Sequence, residues 1–174
     1  MSGFHLAHAL EACSEHLINY GGHEMAGGLK LDSKHFAEFR KAFCEYAGKT
    51  LTPDQLVPEL KLEAIAALKH FSAALVTDLQ RLGPFGHGNR RPVLCCRDVT
   101  LAGPARRVGK TGDHLQLFIR QGEATMKCIA FNAGSWFEKL QPGVHLDLAA
   151  EPTLNEYRGF VNVELEVKDL QLIG

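Results

Sequence analysis

No apolar run in this chain approaches the roughly 18 residues of a membrane-spanning helix, so no membrane segment is expected. The N-terminal MSGFHLAHALEACSEHL has no basic flank and carries Glu11 and Glu15, so it is not expected to be a secretory signal. Met1-Ser2-Gly3 reads as an added start, which would make the chain a piece of something longer. An excess of one charge is missing too. Lys and Arg number 19 against 20 Asp and Glu, so the whole chain exerts no global pull on a polyanion. Disulfide rhythm is absent: five cysteines, Cys13, Cys44, Cys95, Cys96 and Cys128, are an odd and scattered set. That points to a reducing, cytoplasmic interior with buried thiols. Wholesale disorder is excluded by 45% apolar and 22% charged residues. The 174 residues leave room for one domain or two small ones.

The charge that is present is unevenly placed. Residues 90–127 carry eight basic and three acidic side chains, net +5, between an N-terminal part at -2 and a tail at -4. A basic stretch inside a neutral chain is what a polyanion-binding face can look like; the same stretch can also fold against the acidic tail and cancel.

The periodicity changes once. Leu6, Leu10, Cys13 and Leu17 predict a helix over 4–19, ending at Tyr20-Gly21-Gly22. Leu29-Lys30-Leu31 predicts a short strand, and Asp32-Ser33 caps a helix with Phe36, Phe39 and Phe43 on one face. Thr52-Pro53-Asp54-Gln55 is a capping box, Leu60 and Leu62 predict a strand, and Ser72 caps a helix with Leu75, Val76, Leu79 and Leu82 inward. Gly83-Pro84-Phe85-Gly86-His87-Gly88-Asn89 is a rigid loop, in which His87 and Asn89 are expected to pin backbone. Beyond it the period becomes two. Strands are expected at 93–101, 114–121, 124–132, 144–153 and 159–172, with one helix at 133–140, where Trp136 plugs a barrel end, and a hairpin connection at 155–159. Five strands with a helix after the third is the element order of a small Greek-key barrel, the OB-fold. The fold class is therefore α+β: an α/β piece followed by a five-stranded OB-like barrel.

Gly21-Gly22-His23-Glu24-Met25-Ala26-Gly27-Gly28 is the most informative stretch. Its glycines permit a sharp turn and close approach of a ligand. Open amides followed by an imidazole can cradle a phosphate, with His23 donating to a phosphoryl oxygen. The same residues also describe a helix C-cap and tight turn, with His23 satisfied by backbone.

The motif Gly21-Gly22-His23-x-x-Ala26-x-Gly28 resembles the GGHxxAAG signature of the DHH-associated domain in DHH phosphoesterases. Gly27 stands where that family usually has a second Ala. Ala9-Leu10-Glu11-Ala12-Cys13, Tyr20 and Pro84-Phe85-Gly86-x-Gly88-Asn89 are similar to the RecJ branch, in which the last motif precedes an OB domain. Arg90 departs from the usual Pro, while Pro92 is kept. Gly109, His114-Leu115, Ala130-Phe131-Asn132 and Asn155-x-Tyr157-x-Gly159 agree in order. The resemblance implies a DHH-associated portion at 1–83, a linker loop at 84–92 and an OB domain at 93–174. It further implies the substrate-binding half of a 5′-to-3′ single-stranded-DNA exonuclease in recombination and repair. Carried over, Gly21, Gly22, His23 and Gly28 would bind phosphate near the scissile bond. Single-strand-binding barrels track the backbone with a basic groove and stack bases on aromatics. Arg106, Arg107, Lys110 and Arg120 are the expected phosphate contacts, and Tyr157 the stacking residue.

Enzymes of this family resemble one another in a separate N-terminal domain whose Asp and His residues, a DHH triplet among them, hold two Mn2+ or Mg2+ ions. Two such ions activate a water and stabilise the leaving oxygen. This chain has no DHH triplet, and neither Asp113-His114, His5-x-x-His8 nor Cys95-Cys96 finds partners to complete a metal site. No catalytic or metal residue is therefore expected in it, nor hydrolysis by it alone. Its expected partners are single-stranded DNA, the missing catalytic domain and other repair proteins, with no membrane. Two alternatives stay open: an OB module that docks a protein and never touches DNA, and a fragment of a small-nucleotide DHH phosphoesterase, against which the barrel argues.

Overall fold

Leu6, Leu10 and Cys13 share one helical face, and the first helix, α1 (Leu6–Ala12), buries Leu10. His5 caps it, its Nδ1 accepting from the His8 amide at 3.4 Å. This computed structural model describes residues 4–157 and 159–173. The helix expected to residue 19 is cut short. A 3-10 turn covers Ser14–His16, Leu17 is extended, and the Ile18 amide donates to the Lys30 carbonyl at 2.8 Å. Strand pairing overrides the helical period here. β1 (Asn19–Gly22) runs antiparallel to β2 (Gly27–Lys30), with Gly21 opposite Gly28. Asp32 caps a 3-10 turn that leads into α2 (Phe36–Thr50). Phe39 joins Leu10 and Cys13 in a small core, Phe43 packs on it, and Phe36, expected beside them, is exposed.

The chain divides between Glu59 and Leu60 into two units. The sequence expectation put the boundary at 83, with 84–92 as a linker. The difference has a physical cause, because residues 60–92 belong to the barrel. Instead of a strand at Leu60 and Leu62, β3 (Ala64–Ile65) pairs parallel with β4 (Leu94–Leu101). Leu68 and Phe71 sit in the barrel core, and the Leu68 amide donates to Gln121 Oε1 at 2.8 Å. α3 (Ala73–Gln80), capped by Ser72 Oγ, packs Leu75 and Leu79 on the same core. The Gly-Pro loop is tied to it as well. Asn89 donates to the carbonyls of Leu82 and Pro84, and Arg91 lies over the Phe85 ring and pairs with Glu151 at 3.4 Å.

After β4 come β5 (Arg106–Val108), β6 (His114–Gln121), β7 (Ala124–Ala130), β8 (His145–Tyr157) and β9 (Phe160–Leu172). The ring β4–β8–β9–β7–β6 closes through a β4–β6 pairing, with β7 and β9 parallel and the other ring pairs antiparallel. This is the closed Greek-key ring of the OB-fold. Alternation sends Leu115, Leu117 and Ile119 inward, against Leu146, Leu148 and Leu165. Between β7 and β8 the expected helix is a 3-10 segment, Gly134–Lys139, with Trp136 and Phe137 packed on the core and Leu140 buried. β5 was not expected. It adds a short edge to β6, with Arg106 opposite Gln116 and Arg107 opposite Leu115. The hairpin connection expected at 155–159 is shorter, because the strands stay paired out to Tyr157↔Phe160.

Candidate functional site

Two surfaces carry the sequence candidates, one in each unit. In the first, the Gly-His stretch is the β1–β2 hairpin and not a helix cap. Gly22 has φ +154, and a Cβ there would lie 2.4 Å from the Ala26 carbonyl oxygen, so only glycine fits. The His23 amide donates to that oxygen at 2.7 Å and is directed into the turn. The His23 imidazole is exposed, and Gly21 and Gly28 lie side by side with open space above both. Gly27, the departure from the family pattern, meets α1: an added Cβ would lie 2.9 Å from Leu10 Cδ1. An alanine here would have to push the end of the Leu10 side chain aside. Chemically, the hairpin offers an imidazole beside bare backbone, and among the described residues no carboxylate bonds that imidazole.

The second surface is the outer face of the barrel. Because alternation is strict, Gln116, Phe118 and Arg120 of β6 point outward, opposite Ile129, Lys127 and Thr125 of β7. Across β5, Arg106 faces the Gln116 side and extends this face. Arg107 points the other way. Its guanidinium donates to the carbonyls of Gly112 at 3.2 Å and Gly134 at 3.1 Å and lies over the Phe137 ring at 4.7 Å. It therefore fastens the loop that carries Lys110. Among the described residues, Arg106, Lys110 and Arg120 have no ion-pair partner, whereas Lys127 is held by Glu164 at 2.8 Å. Phe118, 38% exposed, stands between Arg120 and Lys127, an aromatic plane among cations. Phe118, Lys127 and Glu164 were not singled out from the sequence. The signal for Phe118 was there, in its alternation with Leu117 and Ile119. Tyr157 lies at the hairpin end beside exposed Phe160.

An acidic strip borders this face. Glu151 pairs with Lys168 at 3.2 Å, Lys168 also contacts Glu166, and the paired carboxylates hold the Lys168 ammonium above its usual range against the opposing cost of its partial burial. The four buried thiols offer no nucleophile: burial raises Cys13 and Cys95, pushes Cys96 up to about 12 and raises Cys128 as well. Two divalent ions on an Asp and His set do not fit these residues. Among the described residues, no three His, Cys, Asp or Glu side chains gather to hold a metal. Nor is any described helix long and apolar enough to cross a membrane.

The sequence profile of the RecJ OB domain matches residues 62–169. The chain belongs to the RecJ OB-domain family. The match begins close to the structural boundary at Leu60, and so includes the β3–α3 strap with the RecJ barrel. The single-stranded-DNA-specific exonuclease RecJ of Bacillus subtilis is 27% identical over 167 residues, 96% of this chain and 21% of that protein. RecJ of Dickeya dadantii is 30% identical over 176 residues, 98% of this chain and 30% of the relative. The crystal structure of RecJ in complex with Mn2+ from Thermus thermophilus superposes with a TM-score of 0.77 at 25% identity, covering 98% of this chain and 24% of that one. The chain thus spans between about a fifth and a third of the RecJ relatives it matches.

Proposed function

We propose that this chain is the substrate-binding half of a RecJ-type exonuclease, which degrades single-stranded DNA 5′ to 3′ in recombination and repair. The observation that carries the reading is Phe118 between Arg120 and Lys127 on the outer face of an OB barrel, where, among the described residues, Arg120 has no ion-pair partner. Arg106, Lys110 and Arg120 contact backbone phosphates, Phe118 and Tyr157 stack on bases, and Arg107 positions the Lys110 loop. Cation tracks with interleaved aromatics bind single strands with little sequence preference. The relatives' activity against single-stranded DNA supports the choice of ligand. In the first unit, His23 donates a hydrogen bond to a phosphate beside Gly21, Gly22 and Gly28. The metal-dependent step belongs to a catalytic domain with Mn2+ or Mg2+, outside the residues described. His23→Ala in a full-length parent enzyme lowers turnover and leaves the fold intact; unchanged turnover would remove His23 from the site.

Protein docking is the second reading, favoured by Glu151, Glu164 and Glu166, which bring carboxylates onto the neighbouring strands. Binding of an oligonucleotide by this chain separates the two. Arg106→Glu with Arg120→Glu weakens strand binding on the first reading. On the second, the unaltered chain binds no strand.

A further inference from the structure

The β7–β9 ladder runs from Lys127↔Glu164 to Ala130↔Val167. β8 and β9 stay paired beyond it, out to Tyr157↔Phe160. Where the hairpin leaves β7, a cleft of about 540 Å³ opens. Met126 and Val163 supply apolar lining, the Tyr157 ring one wall, and Asn155, Asn162 and Glu164 the polar groups. The floor is fixed. Glu164, 9% exposed, is held by Lys127 Nζ at 2.8 Å and by Asn155 Nδ2, which donates to its other oxygen at 2.6 Å.

We propose that this cleft is a nucleobase pocket, in which one unpaired base stacks on Tyr157 and turns its polar edge toward Asn155 and Glu164. The proposal rests on the strand-binding reading above and adds to it a place where base identity is sensed. Three features point to a base. The cleft joins an aromatic plane to a hydrogen-bonding edge, which matches the two faces of a nucleobase. It opens on the face that carries Arg120, so an attached phosphate meets a cation. Tyr157 is 64% exposed. A base inside a duplex hides both its face and its edge, so only an unpaired one enters. The held carboxylate and the Asn155 amide oxygen are acceptors. Cytosine presents an amine to such acceptors, whereas thymine flanks its single N3–H with two carbonyl oxygens that a carboxylate repels. The pocket therefore prefers cytosine to thymine.

The test is fluorescence anisotropy on the intact chain, with oligo-dC and oligo-dT of equal length. The native chain binds oligo-dC tighter by roughly tenfold, the lower end of what one well-made polar contact to a base discriminates. Tyr157→Ala weakens both ligands by roughly five- to a hundredfold, the range of a lost stacking contact, and Tyr157→Phe restores them. Asn155→Ala or Glu164→Gln removes the preference; Asn155 serves where the buried Glu164 cannot be replaced without loss of fold. Strand binding with no preference, or insensitive to Tyr157→Ala, overturns the pocket alone and leaves the cleft to an extended peptide added along β7. No binding of either oligonucleotide overturns the strand-binding reading and the pocket with it.

Discussion

The two units bury their apolar side chains very differently. In the barrel, Leu101, Leu115, Leu117, Ile119, Leu146, Leu148 and Leu165 are all at most 1% exposed, inside a ring whose strands are paired on both sides. In residues 4–59 the core is Leu10, Cys13 and Phe39, while Ile18, Met25 and Phe36 are 64%, 72% and 57% exposed. A two-strand hairpin on two helices buries too little to offset the entropy of ordering it, and an isolated hairpin is marginal. The barrel can hold its outer face rigid unaided. The Gly-His hairpin relies on close contacts, such as Leu10 against Gly27, and presents a shape more than a stable platform.

The strongest test of this contrast is excision. Residues 60–174 alone unfold cooperatively in urea, followed by circular dichroism, whereas residues 1–59 alone show no cooperative transition. A sigmoidal unfolding curve from 1–59 would break the comparison. Next in size, Leu117→Ala lowers the barrel's unfolding free energy by about 2–5 kcal/mol, the usual cost of a large-to-small change in a closed core. Leu10→Ala leaves that transition where it was; a comparable shift from Leu10→Ala would mean that the two units melt as one. Smaller again, Arg107→Ala costs about 1–3 kcal/mol of barrel stability, because it frees two carbonyls and a ring face. Arg106→Ala stays within about 0.5 kcal/mol, as exposed substitutions do. Equal losses would erase the distinction between the open-face and the fastening arginine. Last, Cys44 alone is exposed and reacts with a thiol reagent in the native chain. Cys95, Cys96 and Cys128 react only as the barrel opens, and fast labelling of any of them would deny the closed core.

The barrel was legible because its signals are local and periodic. Alternation in 114–121 and 145–154 fixes which side chains go inward, and the order of five strands and one helical segment fixes the ring. The first unit was less legible, because its decisive contacts are distant in sequence. The Ile18 amide meets Lys30, and that pairing, absent from any helical period, ends the first helix early. The boundary was misjudged for the same reason: the hydrogen bond from Leu68 to Gln121 spans 53 residues. Within the site, adjacency in sequence hid opposite roles. Arg106 and Arg107 are neighbours, but the pleat sends one to the open face and the other onto Phe137. Lys127 reads as a free cation until β9 brings Glu164 beside it.

The salt dependence of oligo-dT binding to the intact chain measures most directly whether the barrel face is a phosphate track. Contacts from Arg106, Lys110 and Arg120 give a log–log slope near about -2, at about -0.7 per contact for a single strand, and Arg106→Glu with Arg120→Glu flattens it. A slope near zero in the native chain, or one unchanged by the double substitution, would contradict the account.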